Sequence, residues 1–172
     1  MRTLHNIDLK NNESGFTLRW QDRLILSHSA DAPCLWIGAG EADIEMFRGN
    51  FSIKDKLNEK IALTDATVTQ QSAGWAIRFT RGDAVSATLL VGVDAEGRLE
   101  LKLKNDAASH NRIWLRLAAQ PDDHIYGCGE QFSYFDLRGK PFPLWTSEQG
   151  VGRNKQTYVT WQADCKENAG GD

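Results

Sequence analysis

Four histidines, three cysteines and one short acidic run hold most of this chain's capacity for acid–base, nucleophilic or metal chemistry. His5, His28, His110 and His124 are scattered without metal-ligand spacing, which favours surface or satisfied core roles over a metal site. Cys34, Cys128 and Cys165 are widely spaced and odd in number, so neither a disulfide framework nor a Cys-x-x-Cys metal site follows. Free thiols in a reducing cytosol are the simplest reading. Cys128 sits between two glycines and could be reactive, although a buried small hydrophobe is the commoner fate of a free cysteine. Asp122-Asp123-His124 could be imagined in a triad, but no nucleophile stands in a recognisable turn. Arg138-Gly139-Lys140 could bind an anion, while a solvated turn is the more frequent use of such a pair. Nothing in the sequence calls for a cofactor or a metal.

Composition narrows the elements that must carry these residues. The chain has 172 residues, enough for one domain with a real core. It is 41% hydrophobic and 25% charged, ordinary globular usage that argues against wholesale disorder. The net charge is −3, with the two signs interspersed, so a clustered basic footprint for nucleic acid is not expected. Met1 to Lys10 has no apolar stretch of signal-peptide length. No apolar run reaches the roughly 20 residues of a membrane helix. The expectation is a cytoplasmic protein with no membrane and no nucleic-acid partner.

Period-2 alternation dominates the first 120 residues. Phe16-Thr17-Leu18-Arg19-Trp20 puts apolar side chains on one strand face, and Arg23-Leu24-Ile25-Leu26 follows a short Gln-Asp turn as a hairpin. Pro33 to Ile37 is a third apolar run, and Phe47 to Lys56 alternates again. Ile61 to Gln70 reads Ile, Leu, then Thr-rich with Val68 in phase, a β-favouring composition. Trp75, Ile77 and Phe79 share a face, and a turn at Arg81-Gly82-Asp83 leads into Ala84 to Val93. Leu99, Leu101 and Leu103 face in between outward charges, the cleanest alternation in the chain. Ile113, Leu115 and Leu117 begin another strand. Trp20, Trp36, Trp75 and Trp114 fall in these strands and read as core. Glu41 to Phe47 could form one helical turn, but no helical stripe is sustained over three turns. Short strands separated by frequent turn signals predict an all-β, antiparallel β-sandwich with little helix, a barrel being the alternative.

Near Pro121 the texture changes. Residues 125–153 are dense in glycine, proline and aromatics, as in Ile125-Tyr126-Gly127-Cys128-Gly129-Glu130-Gln131-Phe132. Such a stretch reads as a structured loop that packs on something or recognises something. The expected organisation is a sandwich body over residues 1–120, then final sandwich strands and this loop over 121–172.

Gly127-Cys128-Gly129-Glu130, then Phe135-Asp136-Leu137-Arg138-Gly139 and Leu144-Trp145, resemble glycoside hydrolase family 31. The wording from Ile125 to Asp172, with Cys34-Leu35-Trp36-Ile37-Gly38 and Met46 to Lys56, is similar to that family's enterobacterial sulfoquinovosidase branch. The resemblance covers nearly the whole chain and implies a galactose-mutarotase-like N-terminal sandwich. It implies retaining hydrolysis of α-glycosides, either of sulfoquinovose, a sugar sulfonated at carbon 6, or of glucose in a general α-glucosidase. That chemistry uses two carboxylates about 5 Å apart. In this family they lie on a (β/α)₈ barrel that follows the sandwich, so the resemblance carries no catalytic residue onto this chain. The chain is expected to end before that barrel and to be inactive alone.

The resemblance further implies that the loop after the Gly-x-Gly-Glu turn reaches the barrel mouth and helps wall the substrate pocket. Glu130, Gln131, Arg138, Trp145 and Glu148 fall in that stretch. Glu130 is the first choice, as an acceptor for sugar hydroxyls or as an interdomain structural carboxylate. Trp145 is read as interface packing before ligand stacking. Two other classes stand beside this one. An independent carbohydrate-binding module would show exposed tryptophans, and a remnant shortened by an early stop would have no activity. An unpaired sheet edge in a shortened chain would favour self-association.

Overall fold

The computed structural model describes residues 6–12, 15–47, 50–83, 85–127 and 135–140, with the side chains of 46–47 and 50–53 outside that description. His5, Cys128, Glu130, Gln131, Trp145, Glu148 and Cys165 lie outside the described residues. Two compact units make up the chain: residues 1–41 with 55–119, and residues 42–54 with 120–172.

Among the described residues every element is a β-strand, and every register is antiparallel. β1 (Ile7–Asn12), β2 (Gly15–Trp20) and β3 (Arg23–Ser29) form one sheet in that order. β6 (Asp65–Gln71), β7 (Gly74–Arg81), β8 (Val85–Val93) and β9 (Leu99–Asn105) form a second. β10 (Arg112–Leu115), β4 (Leu35–Phe47) and β5 (Asn50–Ala62) form the third, in the order β10-β4-β5.

The apolar alternation sets which faces meet. On β7, Trp75, Ile77 and Phe79 are buried, and their cross-strand partners on β8 are Val91, Leu89 and Ala87, buried as well. Leu101 and Leu103 of β9 continue that face as partners of Val91 and Leu89. From the first sheet, Phe16, Leu18 and Leu26 enter the same core, and the Phe16 and Phe79 rings meet edge-on at 5.8 Å. Each such side chain contributes about 1.5–3 kcal/mol by leaving water. Two sheet faces closing on one core make the sandwich.

Turn chemistry agrees with the strand pairing. Gln21 and Asp22 both have positive φ, 49° and 64°, between the paired Trp20 and Arg23. Positive φ at both central residues is what the primed hairpin turn needs to match strand twist. Asp94 closes the β8–β9 turn by accepting from the backbone N–H groups of Glu96 and Arg98.

Two expectations require correction, on Glu41 to Phe47 and on the tryptophans. Glu41 to Phe47 is not helical; it lies within the thirteen-residue strand β4. A single isolated helical turn is costly to nucleate, whereas an extended run gains ladder partners at once. The β-favouring stretch Ile61 to Gln70 is divided between two strands, since β5 ends at Ala62 and β6 starts at Asp65. Leu63 makes the corner: it is fully buried, and its N–H donates to the Leu35 carbonyl. Of the four strand tryptophans Trp75 is buried and Trp20, half-buried, packs against the core as expected, whereas Trp36 and Trp114 are half-buried beside Lys60. β1, in the mixed N-terminal stretch, went unread because its apolar residues are isolated among charges.

Candidate functional site

Arg138 is the one proposed pocket-loop residue within the described residues. It sits where residues 120–127 run beside residues 135–140. Asp136 joins the two. Its Oδ2 accepts from Nδ1 of His124 at 2.7 Å, and its Oδ1 accepts from the backbone N–H groups of Ile125 and Arg138 at 3.1 and 3.0 Å. The His124 bond, then those of the Arg138 and Ile125 N–H groups, pull the Asp136 carboxyl down to about 2. The tautomer follows: a carboxylate only accepts, so Nδ1 of His124 carries hydrogen.

Arg138 supplies the second tie. Its Nη1 donates to the carbonyls of Gln120 and Asp123 at 2.5 and 2.7 Å. The Gln120 N–H in turn donates to the Asp123 carboxylate at 2.7 Å. The Leu137 N–H donates to the Ile125 carbonyl at 2.8 Å, and Leu137 is buried. A turn from Leu137 to Lys140, closed by a 3.0 Å hydrogen bond, has Gly139 at φ +67°. That φ favours glycine.

These ties present aromatic rings rather than bury them. Tyr126 stacks on the His124 ring with centroids 6.0 Å apart, and Phe135 meets Tyr126 at 5.0 Å. Phe135 is 87% exposed and Tyr126 56%. An aromatic pair held outward by a hydrogen-bonded base is an amphipathic surface, suited to a sugar ring or another polypeptide face.

Sequence reasoning set His124 aside and never nominated Asp136. Twelve residues separate the pair, and no spacing rule connects them. A local signal for Asp136 was present: an Asp two residues before Arg138-Gly139 forms a side-chain-to-backbone turn, as it does here.

The remaining candidates resolve individually. His28 is buried, with Nε2 donating to the Thr64 carbonyl at 3.1 Å and Nδ1 accepting from the Cys34 N–H at 3.3 Å. Burial pushes its pKa down and pushes the Cys34 thiol up to about 11, the reverse of an activated nucleophile. His110 is buried, with Nδ1 3.0 Å from Ser109 Oγ and Nε2 3.3 Å from the Glu59 carboxylate. Trp36 and Trp114 are cross-strand partners, and the Lys60 ammonium lies 5.5 and 4.5 Å from their ring centroids. With Arg116 also 5.4 Å over Trp36, these indoles carry cations instead of open stacking faces. Among the described residues no group of three or more His, Cys, Asp or Glu side chains is arranged to hold a metal. No helix there is long and apolar enough to cross a membrane.

Comparison with known proteins gives one consistent result. Residues 9–161 match the model for the glycosyl hydrolase 31 N-terminal galactose mutarotase-like domain. The chain is 77% identical over 163 residues to a sulfoquinovosidase of Escherichia coli K12, covering 95% of this chain and 24% of that protein. It is 43% identical over 167 residues to a sulfoquinovosidase of Agrobacterium fabrum, covering 93% and 23%. Among solved structures, a GH31 family sulfoquinovosidase from E. rectale, in complex with the aza-sugar inhibitor IFGSQ, superposes with a TM-score of 0.71. That match has 39% identity and covers 96% of this chain and 24% of the other. The chain thus spans about a quarter of the length of the curated relatives it matches.

Proposed function

Because the chain belongs to the glycosyl hydrolase 31 N-terminal galactose mutarotase-like domains, we propose that it is the non-catalytic N-terminal domain of a retaining α-glycosidase acting on α-sulfoquinovosides. The observation that carries this reading is the 77% identity to the E. coli sulfoquinovosidase over 95% of the chain. The catalytic carboxylates belong to the part of the longer enzyme that this quarter does not span. The domain's own work is to brace the catalytic barrel and to lend it one loop.

In that reading the loop following Gly127 walls the substrate pocket. Glu130 and Gln131 offer polar groups to sugar hydroxyls, Glu148 adds a further carboxylate, and Trp145 packs between domains. Arg138 contributes by bracing, since its Nη1 already holds the Gln120 and Asp123 carbonyls. Carbohydrate is bound only together with the barrel. The same reading assigns the enzyme to the cytoplasm, supported by the free thiol of Cys34. A stand-alone carbohydrate-binding module has less support, because Trp36 and Trp114 are half-buried and already engage cations.

The test joins this chain to the remainder of the E. coli relative and compares a chromogenic α-sulfoquinovoside with the matching α-glucoside. The sulfonated substrate is expected to turn over faster, and Glu130→Gln is expected to raise its KM. Preference for the glucoside would replace the reading with a general α-glucosidase. Unchanged kinetics in Glu130→Gln would remove Glu130 from the pocket wall.

A further inference from the structure

We infer that Arg116 heads a small oxyanion-binding cavity at the seam between β3 and β4, which takes the sulfonate or carboxylate head of a small organic ligand with its carbon stem against Leu117. The inference is independent of the pocket-wall reading above. Every residue it uses is described and lies in the unit formed by residues 1–41 and 55–119.

β10 ends at Leu115, the cross-strand partner of Leu35. The Arg116 N–H still donates to the Cys34 carbonyl at 2.8 Å, and two residues on the Ala118 N–H donates to the Ile25 carbonyl of β3 at 2.8 Å. Residues 116–118 thus cross from one strand to the other. A turn from Ser29 to Ala32, closed by two backbone hydrogen bonds of 3.3 and 3.2 Å, supplies a further wall. Together they enclose a cavity of about 110 Å³ lined by Ser27, Ala32, Arg116, Leu117 and Ala118.

Arg116 is the one charged residue in that lining. Its guanidinium is held in place: Nη2 donates to the Ala32 carbonyl at 3.2 Å, and its central carbon lies 5.4 Å over the Trp36 ring. These contacts orient the fork, use one of its five N–H donors and leave its charge uncompensated. Among the described residues no carboxylate forms an ion pair with it. A fixed guanidinium meets a carboxylate or sulfonate through two parallel N–H···O bonds, a geometry that an ammonium does not reproduce. The Ser27 hydroxyl offers a further donor, while Ala32, Leu117 and Ala118 are apolar and suit a short carbon stem. Arg116, Ser27 and Leu117 are exposed, so a ligand reaches them directly from solvent. Volume sets the size of what enters. The cavity is well below the roughly 300 Å³ at which pockets enclose a whole small molecule, so it takes a head group and not a sugar ring. The Lys60 ammonium, 5.5 Å from the Trp36 ring centroid, adds positive field on the same indole.

The test titrates the 172-residue chain with sodium methanesulfonate and, separately, with sodium acetate, each exchanged against chloride at constant ionic strength. NMR follows the Arg116 Nε–H and the Trp36 indole N–H. Both signals are expected to move together and saturate, with a midpoint on the order of 10 mM, the strength of one charge-assisted contact. Saturation by methanesulfonate alone assigns a sulfonate head, and by acetate alone a carboxylate head; saturation by both supports the shared oxyanion chemistry. Arg116→Gln is expected to abolish the saturable Trp36 response. Arg116→Lys keeps the charge without the fork and is expected to raise the midpoint about fivefold; it carries the comparison if Arg116→Gln does not fold. Lys60→Gln removes a cation from the same indole and leaves the cavity lining intact, so its midpoint should stay within about twofold of wild type. Shifts that drift linearly with both anions, a Trp36 response that saturates equally in Arg116→Gln, or an unchanged midpoint in Arg116→Lys would overturn the inference. A loss in Lys60→Gln as large as in Arg116→Gln would also overturn it, by showing diffuse attraction to a basic face.

Discussion

Nδ1 of His28 lies 3.3 Å from the backbone nitrogen of Cys34 and accepts its hydrogen, while the opposite ring nitrogen donates to the Thr64 carbonyl. One neutral imidazole thereby satisfies two backbone groups near the corner between β5 and β6, and it stacks on Phe16 with centroids 5.4 Å apart. Replacing it by an apolar side chain of similar size strands both groups. His28→Leu is expected to cost about 2–4 kcal/mol in chemical denaturation.

The same residue makes stability depend on pH. Burial lowers the pKa of His28 in the folded protein below its ordinary value of 6.5, so the unfolded chain binds a proton first. Stability should be full above pH 6.5 and decline as the pH falls below it. Denaturation midpoints at pH 7.5 and 5.5 should differ in wild type, with a smaller difference in His28→Leu. Equal pH dependence in both proteins would show that His28 is not the group responsible.

Gly38 lets two strands and an indole approach one another. A Cβ there would overlap the Glu59 carbonyl oxygen and lie 2.9 Å from the Trp114 ring. Backbone cannot yield as a flexible side chain can, so Gly38→Ala is expected to destabilise by about 1–3 kcal/mol, as overpacking does. Gly97→Ala, where a Cβ would meet nothing within 4 Å but φ is +80°, separates crowding from backbone strain. Trp114 fluorescence should change in the first variant and not in the second.

Asp136 sets an acid limit on its junction. Its folded pKa of about 2 is below the ordinary 3.8, so its contribution is present above about pH 4 and is lost as the pH falls towards 2. The group is exposed, and high salt should weaken the effect. Titration of the Asp136 carboxyl carbon by NMR should show a midpoint near 2 in low salt. A midpoint near 4 would contradict the hydrogen-bonded arrangement around it.

Among the described residues β10 ends its sheet, with Ile113 and nearby Leu117 substantially exposed. Apolar residues along an open edge invite pairing with a second copy. Sedimentation of the 172-residue chain should show association that rises with concentration and falls in Ile113→Lys. A monodisperse monomer across the concentration range would contradict this.

The four-stranded sheet was legible because its signal is local. Trp75, Ile77 and Phe79, and Leu99, Leu101 and Leu103, announce their shared faces through a period of two. Where the cause is long-range, the reading failed. Glu41 to Phe47 is a strand because it continues β4, which has β5 beside it, and at the corner within Ile61 to Gln70 Leu63 reaches the Leu35 carbonyl. The cations beside Trp36 and Trp114, Lys60 by both and Arg116 by Trp36, come from positions that no local spacing connects to both rings. At the candidate site, the loop's unusual composition was visible. The convergence of His124, Ile125 and Arg138 on Asp136 was not, because that geometry exists only after folding.

As proposed above, this chain serves as a supporting domain whose chemistry resides elsewhere in a longer enzyme. The most direct measurement is hydrolysis of a chromogenic α-sulfoquinovoside by the 172-residue chain alone, beside the same chain joined to the remainder of the E. coli relative. Turnover only in the joined protein, with the α-glucoside cleaved more slowly, is the expected result. Turnover by the 172-residue chain alone would mean that a complete catalytic site lies within these residues, and would contradict a supporting role.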